Sequence, residues 1–148
     1  MALLLMAVTC LSAQGADPVS ATAAGPHTVK RGATFQVPLT VTIKKGFHIN
    51  SHQPEDKYLI PLSVRWDSPQ AEAGKTQYPE PARERFSFSD KELSVFEGKF
   101  ELQQTLRIKP EATRGFSSIS GKLRYQACTQ TECLPPTTIP VRVTVDIQ

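Results

Sequence analysis

Two cysteines stand close together late in the chain, in "YQACTQTECLPP", Tyr125 to Pro136. Cys128 and Cys133 are separated only by TQTE. Such a pair can be a structural staple, half of a metal site, or a redox couple. As a staple it would close a short ring, for which loop entropy gives about 2 kcal/mol, less than a long-range bridge contributes. Spacing alone leaves the staple and the redox couple both open. A structural zinc site wants four nitrogen or sulfur ligands, usually in closely spaced pairs. The histidines, His27, His48 and His52, lie far from the cysteines in sequence. His48 and His52 could help bind copper at a surface loop, and Cys128, Cys133 and His48 together form another possible copper set. Two solvent-facing loop histidines are the preferred reading of His48 and His52, and no metal is expected. The thioredoxin arrangement is excluded, because it needs C-x-x-C at the start of a helix. Here the spacing is C-x4-C and the flanks read as strand. No Lys, Arg or His lies in the turn, and Glu132 beside Cys133 disfavours a thiolate by like charge. A dithiol without special stabilisation makes a reducing pair.

The compartment bears on this choice. The first residues, "MALLLMAVTCLSAQGAD", begin with an uncharged apolar run from Ala2 to Val8. Small residues follow, and "AQG" fits a signal-peptidase site. The run is too short to span a bilayer, and residues 1–16 read as a secretory signal peptide. The run lacks a basic n-region, which leaves room for a start further upstream. A lipoprotein signal using Cys10 is the alternative, but Ala7 and Thr9 fit a lipobox poorly. Removal of this segment leaves two cysteines, an even number, in an oxidising compartment. A Cys128–Cys133 disulfide is then the default expectation.

The elements that must position the pair are strands. In "FQVPLTVTI", Phe35, Val37, Leu39, Val41 and Ile43 alternate with Gln, Pro and Thr, the period of a half-buried strand. Pro38 suggests an edge strand there. The same alternation returns in "LSVRW", in "FELQQTLRI" with Gln104 interrupting, in "LRYQA" and in "IPVRVTVDI". Turn-rich pieces, "KKG", "DSPQAEAG", "KPEATRG" and "SG", separate them. No window shows a sustained helical stripe, and the 12 prolines argue the same way. The expected architecture is an all-β sandwich of about seven or eight short strands, with a closed barrel as the weaker alternative. Residues 17–33 read as a loose lead-in and residues 34–148 as one domain. The 148-residue chain is long enough for a single core, and its 39% hydrophobic and 21% charged residues are ordinary for a soluble protein. A net charge of +3, carried by scattered lysines and arginines, argues against nucleic-acid binding.

"YQACTQTECLPPTTIPV" resembles the cysteine hairpin in the N-terminal periplasmic domain of the DsbD thiol:disulfide interchange proteins. That family shows a strand ending in Tyr-Gln-x-Cys, a short turn, a second Cys and a Pro-Pro step into the last strand. Here these are Tyr125, Gln126, Cys128, Cys133, Pro135 and Pro136, with a turn about a residue shorter than in the best-known members. "KKGFHINSH" and "RFSFSDKELSVFEGKFEL" are softer matches, and the resemblance spans roughly residues 28 to 147.

The resemblance implies an immunoglobulin-like sandwich carrying a redox cysteine hairpin. It also implies a periplasmic protein-disulfide reductase component, a monomer without cofactor. Such a domain takes electrons from a thioredoxin-like or membrane donor and reduces disulfides of exported proteins. By the same analogy Cys133 forms the mixed disulfide and Cys128 resolves it. An aromatic cap loop would shield the sulfurs, with Phe86 and Phe88 as its candidates, although "RFSF" lacks the acids of the family's cap. Alternatively, both phenylalanines face the core from one strand. His48 and Asn50 match positions held by aromatics near the pair, and with Tyr125 they are candidates to line the site or merely to end a strand. No transmembrane or thioredoxin-like domain follows Gln148, so the partners would be separate polypeptides, or the domain solitary, or the chain a fragment. The competing expectation is a secreted immunoglobulin-like binding or structural module with an inert hairpin disulfide.

Overall fold

The computed structural model describes residues 17–148, and the expected signal peptide over 1–16 lies outside them. The strands in chain order are β1 (Val19–Ala23), β2 (His27–Val29), β3 (Thr34–Ile43), β4 (His48–Asn50), β5 (Ser63–Asp67) and β6 (Ala71–Gln77). They continue as β7 (Ala82–Arg85), β8 (Glu92–Phe96), β9 (Lys99–Ile108), β10 (Gly115–Tyr125), β11 (Ala127–Cys128) and β12 (Thr137–Ile147). They form three four-stranded sheets, ordered β1-β3-β9-β6, β2-β12-β10-β5 and β11-β4-β8-β7. The first two pack face to face as an immunoglobulin-like sandwich, so the architecture is all-β and open rather than a closed barrel.

Alternation builds the sandwich. In β12, Ile139, Val141, Val143, Val145 and Ile147 are buried while their neighbours are exposed or half-buried. They share two apolar clusters with Leu39 and Val41 of β3, Leu102 and Leu106 of β9, and Leu123 of β10. Gln104, the polar interruption in β9, is nevertheless buried. It accepts from Thr76 Oγ1 at 2.6 Å and donates to the Gly74 carbonyl at 3.2 Å. These are the residues where the β6 ladder slips between Ala73 and Thr76, so the buried amide satisfies backbone that a bulge left unpaired.

Several expectations change. Residues 17–33 are not a loose lead-in: β1 pairs with β3 from Val19↔Ile43 to Ala23↔Leu39, and β2 runs parallel to β12. Among the described residues twelve strands replace seven or eight, and β2, β4 and β11, at two or three residues each, are too short to show a period. Nor is β3 an edge, as it pairs with both β1 and β9. Pro38 is tolerated because its carbonyl accepts from Ala24, just past the end of β1, at 2.9 Å. Its missing N–H therefore faces the side where that ladder has already stopped. "DSPQAEAG" contains the start of β6, and "SG" lies inside β10. Gly121 belongs in that strand because the Trp66 ring lies on it: a Cβ there would sit 2.7 Å from Trp66 Cε3.

The third sheet grows where β3 leaves the sandwich, β9 enters it and β10 leaves it. Gly46, at φ 91°, turns the chain from β3 into β4. β4 pairs with β8 and with β11, and β11 carries the first cysteine.

Candidate functional site

The cysteine spacing is a hairpin spacing. Thr129 N–H donates to the Glu132 carbonyl at 2.7 Å, and Leu134 N–H donates to the Ala127 carbonyl at 2.8 Å. Between these two bonds Cys128 and Cys133 oppose each other as an isolated bridge. That is a non-hydrogen-bonded pair, the position at which antiparallel side chains come closest. The sulfurs are joined, with Cα atoms 3.9 Å apart. Thr129 Oγ1 accepts from the N–H groups of Thr131 and Glu132 at 3.4 and 3.3 Å, which tightens the tip.

The two cysteines are not equivalent. Cys128 is fully buried, whereas Cys133 is exposed.

His48 lies directly across the ladder from Cys128. The expected solvent-facing histidine is in fact 1% exposed. Its ring stacks on Phe86 with centroids 4.0 Å apart and planes 18° off parallel. Phe86 stacks in turn on Phe88 at 5.3 Å. Burial lowers the His48 pKa to about 4, so the ring is neutral at neutral pH. Its Nε2 is buried without a hydrogen-bond partner.

Phe86 and Phe88 do not face the core together from one strand. They follow β7 in a turn, Phe86 buried and Phe88 half-buried, and pack with Leu59, Leu93 and Val95 in a small cluster of their own. Ser87 between them donates from Oγ to the Gln130 carbonyl at 3.2 Å. This aromatic loop therefore touches the tip of the cysteine turn.

Asn50 is buried beneath the hairpin. Its Nδ2 donates to the Ile60 carbonyl and to Gln126 Oε1, each at 3.1 Å. Gln126 Oε1 also accepts from Ile60 N–H at 3.2 Å, and its Nε2 donates to the Leu134 carbonyl at 3.3 Å. The two amides thus clamp both arms of the hairpin to the segment after β4. Gln126 was visible only as a motif letter; nothing in its sequence context marked it as a clamp. The structure places Tyr125 in the large sandwich cluster, together with Ala127 beside the first cysteine. Burial, with help from the charge of Asp17, raises the Tyr125 pKa.

A second support was not legible at all. Ser94 of β8 shares a 2.7 Å hydroxyl contact with Ser51 and donates its N–H to Glu55 Oε2 at 2.9 Å. Burial raises the Glu55 pKa, but the Ser94 bonds and the Arg83 guanidinium, 3.0 Å away, outweigh it and hold the carboxyl below its ordinary value. His52 stacks on Tyr78 at 4.1 Å. Burial lowers its pKa against the opposing charge of Glu80. Among the described residues, no group of three or more His, Cys, Asp and Glu is placed to hold a metal ion.

The family described as "Thiol:disulfide interchange protein DsbD, N-terminal" matches residues 15–144. The chain belongs to the DsbD N-terminal family. Among solved structures, the N-terminal periplasmic domain of ScsB from Proteus mirabilis matches at a TM-score of 0.58 and 14% identity, covering 84% of this chain and 44% of that one. At that identity the likeness speaks to the fold, and this DsbD-family chain spans less than half of that structure. A family 123 glycoside hydrolase from Clostridium perfringens matches at a TM-score of 0.35 and 10% identity, over 89% of this chain and 27% of that one, and carries no argument. No curated protein matches the sequence.

Proposed function

We propose that this DsbD-family domain is a periplasmic thiol–disulfide exchange module that passes electrons from a thioredoxin-like or membrane donor to disulfides of exported proteins. The observation that carries the reading is the asymmetry of the pair: an exposed Cys133 and a buried Cys128 in one hairpin. Donor thiolate attacks Cys133 Sγ in line with the S–S bond. A new bond forms between the donor sulfur and Cys133, and the old bond breaks with its electron pair on Cys128. The donor's second thiolate then releases Cys133, and two protons from solvent complete the dithiol. In the second half-reaction Cys133 thiolate attacks a substrate disulfide and Cys128 resolves the mixed disulfide.

Family membership supports the chemistry, and the aromatic loop over the hairpin supports a gated site. The test is trapping. With Cys128→Ser, activated beforehand at Cys133 as a mixed disulfide with thionitrobenzoate, a thioredoxin-like donor lacking its own resolving cysteine should expel thionitrobenzoate and accumulate as a mixed disulfide through Cys133. If no adduct forms and the pair's potential lies far below the thioredoxin range, the inert-disulfide reading takes its place.

A further inference from the structure

The proposed exchange reaction changes what surrounds one buried atom. In the disulfide state Cys128 carries no donor, and His48 Nε2, across the ladder from it, has no hydrogen-bond partner. A buried polar atom without a partner is costly, on the order of 1–3 kcal/mol, and most such atoms in folded proteins are satisfied. Packing does not require that cost. The ring is held by its stack on Phe86, and a phenylalanine would stack there without an orphaned nitrogen.

We propose that His48 is a redox-dependent partner of Cys128: its Nε2 accepts a hydrogen bond from the Cys128 thiol in the reduced protein and loses it on oxidation. This rests on the exchange reading above. Three observations support it. His48 and Cys128 are opposed residues of one antiparallel ladder, so their side chains leave the same face as neighbours. The hairpin has backbone bonds of its own on both sides of the disulfide, Leu134 N–H to the Ala127 carbonyl and Thr129 N–H to the Glu132 carbonyl, so the bridge is not its sole tie. Cys128 is fully buried and Cys133 exposed, so only the Cys128 thiol must find its partner inside the protein.

The depressed pKa of His48 fixes the sense of the interaction. The neutral ring offers a lone pair to S–H and is too weak a base to remove the thiol proton. It therefore stabilises the protonated thiol rather than a thiolate. Stabilising the reduced form makes the couple less reducing than it would otherwise be. His48 sets the poise of the pair, against the push of Glu132 beside the other sulfur.

The test is the dithiol/disulfide equilibrium in graded mixtures of reduced and oxidised dithiothreitol, wild type against His48→Phe. The variant should lower the reduced-to-oxidised ratio about tenfold, equivalent to a midpoint about 30 mV more negative for a two-electron couple. An unchanged ratio would reduce His48 to packing. Should the variant not fold, the wild type still decides the matter, because the 15N resonance of His48 Nε2 must move on reduction. A resonance that stays put sinks the proposal. The outcomes separate from those of the exchange reading. A protein that no thioredoxin-like donor reduces, yet whose dithiothreitol equilibrium depends on His48, overturns the exchange reading and keeps this one. A protein that forms the Cys133 adduct with an equilibrium indifferent to His48 does the reverse.

Discussion

The sandwich and the small sheet at its end hold themselves together by different physics. In the sandwich, Val37 and Leu39 of β3 and Val141 and Val143 of β12 lie in apolar clusters with almost no exposed surface. Long ladders, such as the eleven register pairs of β10 with β12, fix every residue's face. In the end sheet the ladders are two to four pairs long. Phe86, Leu93 and Val95 form a small apolar cluster there, Ile49, Phe96 and Ala127 reach back into the large sandwich cluster, and the remaining order comes from the Asn50–Gln126 clamp, the Ser51–Ser94–Glu55 group and a ring stack. Short ladders and polar clamps can be rearranged at low cost, whereas a close-packed apolar core cannot. The disulfide sits on the rearrangeable part, braced by the rigid one.

The contrast breaks most visibly in the core. Leu102→Ala, at a fully buried site, should cost about 2–5 kcal/mol. Urea unfolding checks this, and oxidised and reduced protein should lose the same amount. A loss confined to one redox state would mean that the redox state of the hairpin reaches the sandwich core.

A smaller effect, in acid, belongs to the end sheet. The folded-state pKa of His48 lies near 4, below the unfolded value of 6.5. Protonation therefore favours the unfolded chain, which binds more protons between these values. The stability contributed by neutral His48 is present above pH 6.5 and lost as pH falls toward 4. The size is about 3 kcal/mol at most, from 1.36 kcal/mol per pKa unit. Urea midpoints from pH 7 to pH 4 should fall more for wild type than for His48→Phe. Glu55 adds to the same trend at lower pH. Its folded pKa is depressed, so its contribution holds above the unfolded carboxylate value and disappears as pH drops through the folded one.

The same division explains what could be read from the sequence. The faces of β3, β9, β10 and β12 were legible because burial on one side of a long strand writes a period of two into the residues. β4, at three residues, and β11, at two, carry no period at all. His48 read as a loop residue because its burial comes from Phe86 and from β11, both distant in sequence. Pro38 misled because it marks the end of a neighbouring ladder rather than the edge of a sheet. The hairpin itself was legible twice over, as a motif and as geometry. Cysteines separated by four residues become opposed partners when a two-residue loop joins two hydrogen-bonded pairs.

Removing the disulfide should affect the end sheet modestly. The Cys128→Ser, Cys133→Ser double variant should lose about 2 kcal/mol, the loop-entropy value for so short a ring. The sandwich core should keep its hydrogen-exchange protection. A loss beyond about 4 kcal/mol would show that the bridge is a staple for the whole fold, and that would favour an inert structural role.

The smallest effect on stability should be the largest on chemistry. Phe88 is half-buried at the outer end of the His48–Phe86–Phe88 stack, and Ser87 next to it holds the loop to the cysteine turn through Gln130. Phe88→Ala removes little buried surface, so it should change stability by about 1 kcal/mol or less. If the loop shields the pair, a small thiol such as dithiothreitol should reduce the variant several-fold faster than wild type, with the equilibrium ratio unchanged. Phe86→Ala removes the buried ring on which His48 rests, so it should alter both rate and equilibrium. Equal effects from the two substitutions would mean that the stack moves as one body. A rate change from Phe88 alone would place the gate at the outer ring and leave His48 to set the poise behind it.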